Sequence, residues 1–101
     1  MDYFVALADP TRRQIIESLS LGERSFGELA DQFEMIRPAV SQHLKVLKNT
    51  GMVTVRAEAQ RRYYRLNHDG LDEIDAWLDK VRRFWSDRLD RLEDVLNEPD
   101  E

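Results

Sequence analysis

The chain has 101 residues, enough for one domain with one modest core. Hydrophobic content of 42% with 35% charge excludes a disordered polyelectrolyte, apolar runs of only a few residues exclude a bilayer span, and the lack of cysteine excludes disulfides, thiolate metal sites and a cysteine nucleophile. The net charge of -5 argues against a nucleic-acid partner until its distribution is read: net -4 over residues 1–35, +6 over 36–68 and -7 over 69–101.

The first residues, Met1-Asp2-Tyr3, are not a basic segment leading into an apolar one, so no secretion signal is read and a cytoplasmic protein is expected. Tyr3 to Ala8 predicts a short helix with Phe4 and Leu7 on one face. Asp9 is suited to cap a second helix and Pro10 to occupy its first position, where a missing N–H has no intrahelical partner to lose. Ile15, Ile16 and Leu19 form its apolar face, and Gly22 ends it. Ser25-Phe26-Gly27-Glu28 matches a capping box. The helix it starts is expected to bury Phe26, Leu29, Ala30 and Phe33 and to stop near Glu34.

Only Met35 to Arg37 separate that helix from the next, which starts at Pro38. Val40, Leu44 and Leu47 fall at i, i+4 and i+7, one buried stripe, and Asn49-Thr50-Gly51 stops the helix. Two helices joined by so short a turn predict a helix-turn-helix. Met52 to Arg56 and Arg62 to Leu66 then alternate with period two and predict a hairpin with its tip at 57–61, a wing. Glycine is read as marking the joints, at Gly22, Gly51 and Gly70. The last helix runs from about 69 to 97. Its seam of Leu71, Ile74, Leu78, Val81, Trp85, Leu89, Leu92 and Leu96 is longer than one small core can cover, so a second copy is expected on it. The fold class is therefore mostly α with a small β-hairpin. Residues 1–97 form the domain, and the acidic tail at 98–101 is expected to be disordered.

With the apolar stripe inward, the Pro38 helix turns Arg37, Ser41, Gln42 and Lys45 outward. Arg and Gln are suited to bidentate contacts with guanine and adenine edges, and Ser41 and Lys45 to a base edge or a phosphate. Lys48 extends the basic face, and Arg56, Arg61 and Arg62 place positive charge near the wing tip. The bland readings are a solvated helix face and a solubilising loop. His43 and His68, isolated and without cysteine, read as satisfied or solvated side chains rather than metal ligands. Trp77, Phe84 and Trp85 admit two readings, dimer core or the lining of an effector pocket. No nucleophile with a base, glycine-rich phosphate loop or paired carboxylates point to an enzyme.

Three blocks in order carry a resemblance: Phe4-Val-Ala-Leu-Ala-Asp-Pro-Thr-Arg-Arg13, Gly22-Glu-Arg-Ser-Phe-Gly-Glu-Leu-Ala30, and Arg37-Pro-Ala-Val-Ser-Gln-His-Leu-Lys-Val-Leu-Lys48 followed by Gly51-Met-Val53. From about Phe4 to Leu66 the chain resembles the ArsR family of bacterial repressors. The resemblance implies a winged helix-turn-helix dimer joined through its first and last helices, negative control of a promoter (often the protein's own), and DNA contacts at Arg37, Pro38, Ser41, Gln42 and Lys45. In two places the chain departs from the family. Many relatives have a capping Ser where Ile36 stands. Metal-sensing members also use cysteines or terminal-helix histidines, and this chain has neither, so it is similar to the metal-independent branch.

The reading is thus a DNA-binding repressor without cofactor or metal, its partners double-stranded DNA and a second copy, its effector unknown. Its interface is expected at Phe4, Leu71, Ile74, Leu78, Val81, Trp85, Leu89 and Leu92. Recognition helices related by a two-fold axis and about 34 Å apart predict an inverted-repeat operator. The alternative is a winged helix used only for protein–protein contact, with the acidic ends as its working surface.

Overall fold

In a computed structural model that describes residues 2–97, the elements follow in the order α1 (Tyr3–Leu7), α2 (Pro10–Leu19), β1 (Arg24–Ser25), α3 (Phe26–Asp31), α4 (Arg37–Asn49), β2 (Val53–Glu58), β3 (Arg61–Leu66) and α5 (His68–Leu96). The expected acidic tail lies outside the described residues.

The helix ends are set by local chemistry. Asp9 Oδ2 accepts the Arg12 N–H at 3.0 Å, which holds the Asp9 carboxyl below its ordinary range, and Pro10 follows in the first turn. Ser25 and Glu28 satisfy each other's N–H groups at 3.2 and 3.1 Å. At the far end of α4 the Met52 N–H donates to the Leu47 carbonyl and the Gly51 N–H to that of Lys48, both at 3.0 Å. This is a Schellman closure, which needs the left-handed backbone that Gly51 supplies at φ 82°. Asn67 caps α5 through the Asp69 N–H.

Ile36, in the N-cap position of α4, makes no side-chain cap. It does not anchor the turn either, being 72% exposed. The helix end needs little help. Pro38 has no N–H to satisfy, and the Ala39 N–H already donates to the Ile36 carbonyl at 3.0 Å.

Ile15, Leu29, Val40, Leu44, Leu47 and Met52 are fully buried and join α2, α3, α4 and the start of β2 into one core. α3 ends at Asp31, three residues before the expected Glu34. Its last amides, Gln32 and Phe33, close short bonds back to Leu29 and Ala30, and Phe33 is only partly buried against the core. In α1 the buried positions are Tyr3 and Ala6, while Phe4 turns outward to meet Trp77 edge-on, ring centres 5.0 Å apart. Arg12 and Arg13, given no role by the sequence reading, tie α1 to α2. Their guanidinium groups donate to the Val5, Ala6 and Leu7 carbonyls at 2.8, 3.3 and 2.7 Å, where the end of α1 is electron-rich.

Gly70 is no joint. It lies in the first turn of α5, where a Cβ would come within 2.8 Å of Tyr3 Cδ1 and 3.1 Å of Met52 Sδ. Its smallness lets α1, α5 and the core meet.

The sheet has strand order β1-β3-β2, all antiparallel. β1 was not foreseen, because two residues carry no periodicity. The hairpin is longer than expected. Pairing continues to Glu58 opposite Arg61, which leaves Ala59 and Gln60 as the turn. Ala59 is held at φ 54°, where an L side chain is strained. Ala59→Gly is therefore expected to stabilise the fold by about 0.5–1 kcal/mol after the entropy of the unfolded glycine is counted, raising Tm by roughly 2–8 °C. An unchanged or lower melting midpoint contradicts this.

Leu71 and Ile74 pack on the domain's own core, and Val81 is half-buried. Beyond them α5 runs clear of the domain, stretching the molecule to 77 × 26 × 22 Å. Leu78, Phe84, Trp85, Leu89, Leu92, Val95 and Leu96 stay exposed along it. Among the described residues no helix is long and apolar enough to cross a membrane.

Candidate nucleic-acid interface

α4 divides cleanly into two faces. Val40, Leu44 and Leu47 are buried, while Arg37, Pro38, Ser41, Gln42, Lys45 and Lys48 are all exposed. Arg37, Ser41, Lys45 and Lys48 recur about every four residues and form one stripe along the helix. Arg37 sits 3.7 Å from Asp31, a long and exposed contact of little strength, with its guanidinium 5.9 Å over the Phe26 ring.

The hairpin leans over this stripe. On its inner face Val55, Ala57, Arg62 and Tyr64 line a groove with Ser41, Leu44, Lys45 and Lys48. The groove opens at the start of α4 into a cleft between Arg37 and Ser41 on one side and Gln60, Arg61 and Arg62 on the other. Ser41 and Arg62 belong to both, so cationic side chains of helix and wing border one continuous channel. Among the described residues Lys45, Lys48, Arg61 and Arg62 have no carboxylate within 4.0 Å. Their charge is therefore available to a polyanion.

Arg56 does not join them. It stands on the outer face of β2, with Thr54 and Glu58, and its guanidinium is held by Glu23 and Glu58 at 2.6 and 2.7 Å. Sequence spacing placed it near the wing tip but carried no information about which face it takes or about Glu23, 33 positions away. His43 faces inward on α4, its Nδ1 3.6 Å from Asp9 Oδ2. His68 is the exposed first residue of α5. The aromatics Trp77, Phe84 and Trp85 lie on α5, remote from the α4–wing channel and exposed.

A helix-turn-helix whose second helix is basic outside and apolar inside, followed by a cationic hairpin, defines a winged helix-turn-helix DNA-binding regulator of transcription. Residues 9–55 match the model of the bacterial regulatory protein, arsR family. The chain is 49% identical over 84 residues to the HTH-type transcriptional regulator Rv2034 of Mycobacterium tuberculosis, covering 83% of this chain and 76% of that protein. It is 35% identical over 75 residues to the transcriptional repressor SdpR of Bacillus subtilis, covering 74% and 83%. Among solved structures, an ArsR-like transcriptional regulator from Rhodococcus sp. RHA1 superposes with a TM-score of 0.82 at 26% identity, over 96% of this chain and 89% of that one. A possible transcriptional regulator for arsenical resistance superposes with a TM-score of 0.75 at 41% identity, over 99% of both chains. The chain belongs to the ArsR family. It is a transcription regulator and not an enzyme.

Proposed function

We propose that the protein is a sequence-specific, cytoplasmic repressor that binds an inverted-repeat operator as a homodimer and responds to no metal. The observation that carries this is the exposed Arg37–Lys48 face of α4 bordering one channel with Arg61 and Arg62 of the wing. Arg37, Pro38, Ser41, Gln42 and Lys45 enter the major groove, with Arg37 and Gln42 reading base edges. Lys48, Arg61 and Arg62 hold the phosphate backbone beside it. α5, with Phe4 of α1 beside it, provides the surface for the second copy. The lack of cysteine supports release by something other than a thiolate-bound metal.

The test is a mobility-shift and footprint series on the promoter upstream of the protein's own coding region and on unrelated promoters. The expected result is a symmetric protected site with half-sites about one helical turn apart. No sequence-specific shift at physiological salt rejects the reading and favours a protein–protein module. Replacing Arg61 and Arg62 together by Gln is expected to weaken binding alike on all sequences. The slope of log K against log salt should fall by about 0.9 for each phosphate no longer neutralised. A changed base preference with an unchanged slope reverses the roles given to helix and wing.

A further inference from the structure

We infer that Arg56 is a positioning residue that braces the wing against the turn before β1, and that it is not a phosphate contact. This rests on the DNA-binding reading above and departs from the expectation that Arg56 serves the polyanion directly, as Arg61 and Arg62 do.

The geometry is that of a strap across the sheet. Arg56 pairs with Tyr63 on β3, and Tyr63 pairs in turn with Ser25 on β1. The guanidinium lies 4.4 Å above the Tyr63 ring. From there it grips Glu23, the residue just before β1. Nε lies 3.0 Å from Oε2 and 3.2 Å from Oε1, and Nη2 lies 2.6 Å from Oε1. Nη1 closes on Glu58 at 2.7 Å. One side chain on β2 thus reaches over β3 to the edge of β1. Planar fork contacts of this kind fix direction as well as distance.

The strap sits where the hairpin loses other support. β1 covers β3 only at Tyr63 and Tyr64. Residues 57–62, which carry Arg61 and Arg62, extend past that cover as a bare two-stranded ribbon, which is marginally stable on its own. Arg56 stands on the last covered rung, so its ties set the angle at which the ribbon leaves the sheet towards α4. The same ties remove Arg56 from the interface. Its guanidinium is taken up by two carboxylates, and its face of β2 is opposite the groove-lining Val55 and Ala57. The strong hydrogen bonding to Arg56 holds the Glu23 carboxyl below its ordinary range, so the tie is ionised at neutral pH.

Glu23 gives the inference an inverted sign to test. Removing a carboxylate from a DNA-binding protein ordinarily tightens binding. Here Glu23→Gln is expected to weaken operator binding about twofold to fivefold, the scale of an exposed ion pair, with the salt slope unchanged. Arg56→Gln should do the same, and the double variant should be no worse than either single one. In the free full-length protein, amide exchange at 57–62 should quicken about twofold to fivefold in both variants. Tighter binding by Glu23→Gln, with a slope lowered by about 0.9 per protomer in Arg56→Gln, makes Arg56 a phosphate contact and overturns the inference. Unchanged exchange at 57–62 overturns it as well. If the unaltered protein shifts no promoter, the DNA-binding reading has failed by itself, and the exchange rates alone decide whether the strap exists.

Discussion

Gln42→Ala is expected to lower operator affinity about 5-fold to 150-fold in each half-site, because a bidentate pair with a base edge is worth about 1–3 kcal/mol of discrimination. The effect should fall at one base pair of each half-site, which then tolerates substitution. Gln42 is uncharged and exposed, so the salt slope and the melting temperature should both stay where they were. Arg37→Ala should weaken binding by a similar factor and also lower the slope, since it removes a charge as well as the hydrogen-bonding fork offered to guanine. The measurement is a binding isotherm on the operator and on single-base variants of it, at several salt concentrations. A uniform weakening on every sequence, with no position relaxed, removes α4 from the reading role.

Leu89→Glu combined with Leu92→Glu is expected to yield a folded monomer. The two leucines are 59% and 55% exposed on a stretch of α5 that runs clear of the domain, so the substitution takes nothing from the protomer's own core. Helix content and the melting transition of the domain should survive. Association should suffer heavily. Burying a leucine contributes about 1.5–3 kcal/mol, a symmetric interface counts each one twice, and the new carboxylates repel across the axis. The dimer dissociation constant should rise at least about 100-fold, read by sedimentation. Operator binding should fall with it, because the second recognition helix no longer arrives tethered to the first. A variant that remains dimeric at micromolar concentration places the interface elsewhere than on the outer half of α5.

Most of the fold is legible in the sequence because its signals are local. Asp9 and Pro10, the Ser25–Glu28 box, the Asn49-Thr50-Gly51 stop and the stripe of Val40, Leu44 and Leu47 each act within a turn or two of helix, and each appears as read. The outward set on α4 follows from the same periodicity. What failed to read has a common cause. β1 is too short to show a period, and the hairpin tip lacked the Asn-Gly or Asp-Gly that would have announced a tight turn, since Ala59 takes the left-handed position against preference. That α1 buries Tyr3 and Ala6 was not legible, because the room for the Tyr3 ring is left by Gly70, far along the chain.

The sequence by itself determined the order of every element but β1, the apolar and polar faces of α4, the concentration of positive charge in the middle third and the impossibility of a cysteine-based sensor. Those properties depend on residues near one another in the chain, so spacing and composition carry them. Only the tertiary structure decided that Arg12 and Arg13 fasten α1, that Arg61 and Arg62 border the α4 groove while Arg56 is turned away to Glu23, and that among the described residues nothing covers the outer half of α5. Each of these is a pairing, or a missing pairing, between groups distant in sequence, and hydrogen bonds and apolar contacts act only over the distance at which atoms touch.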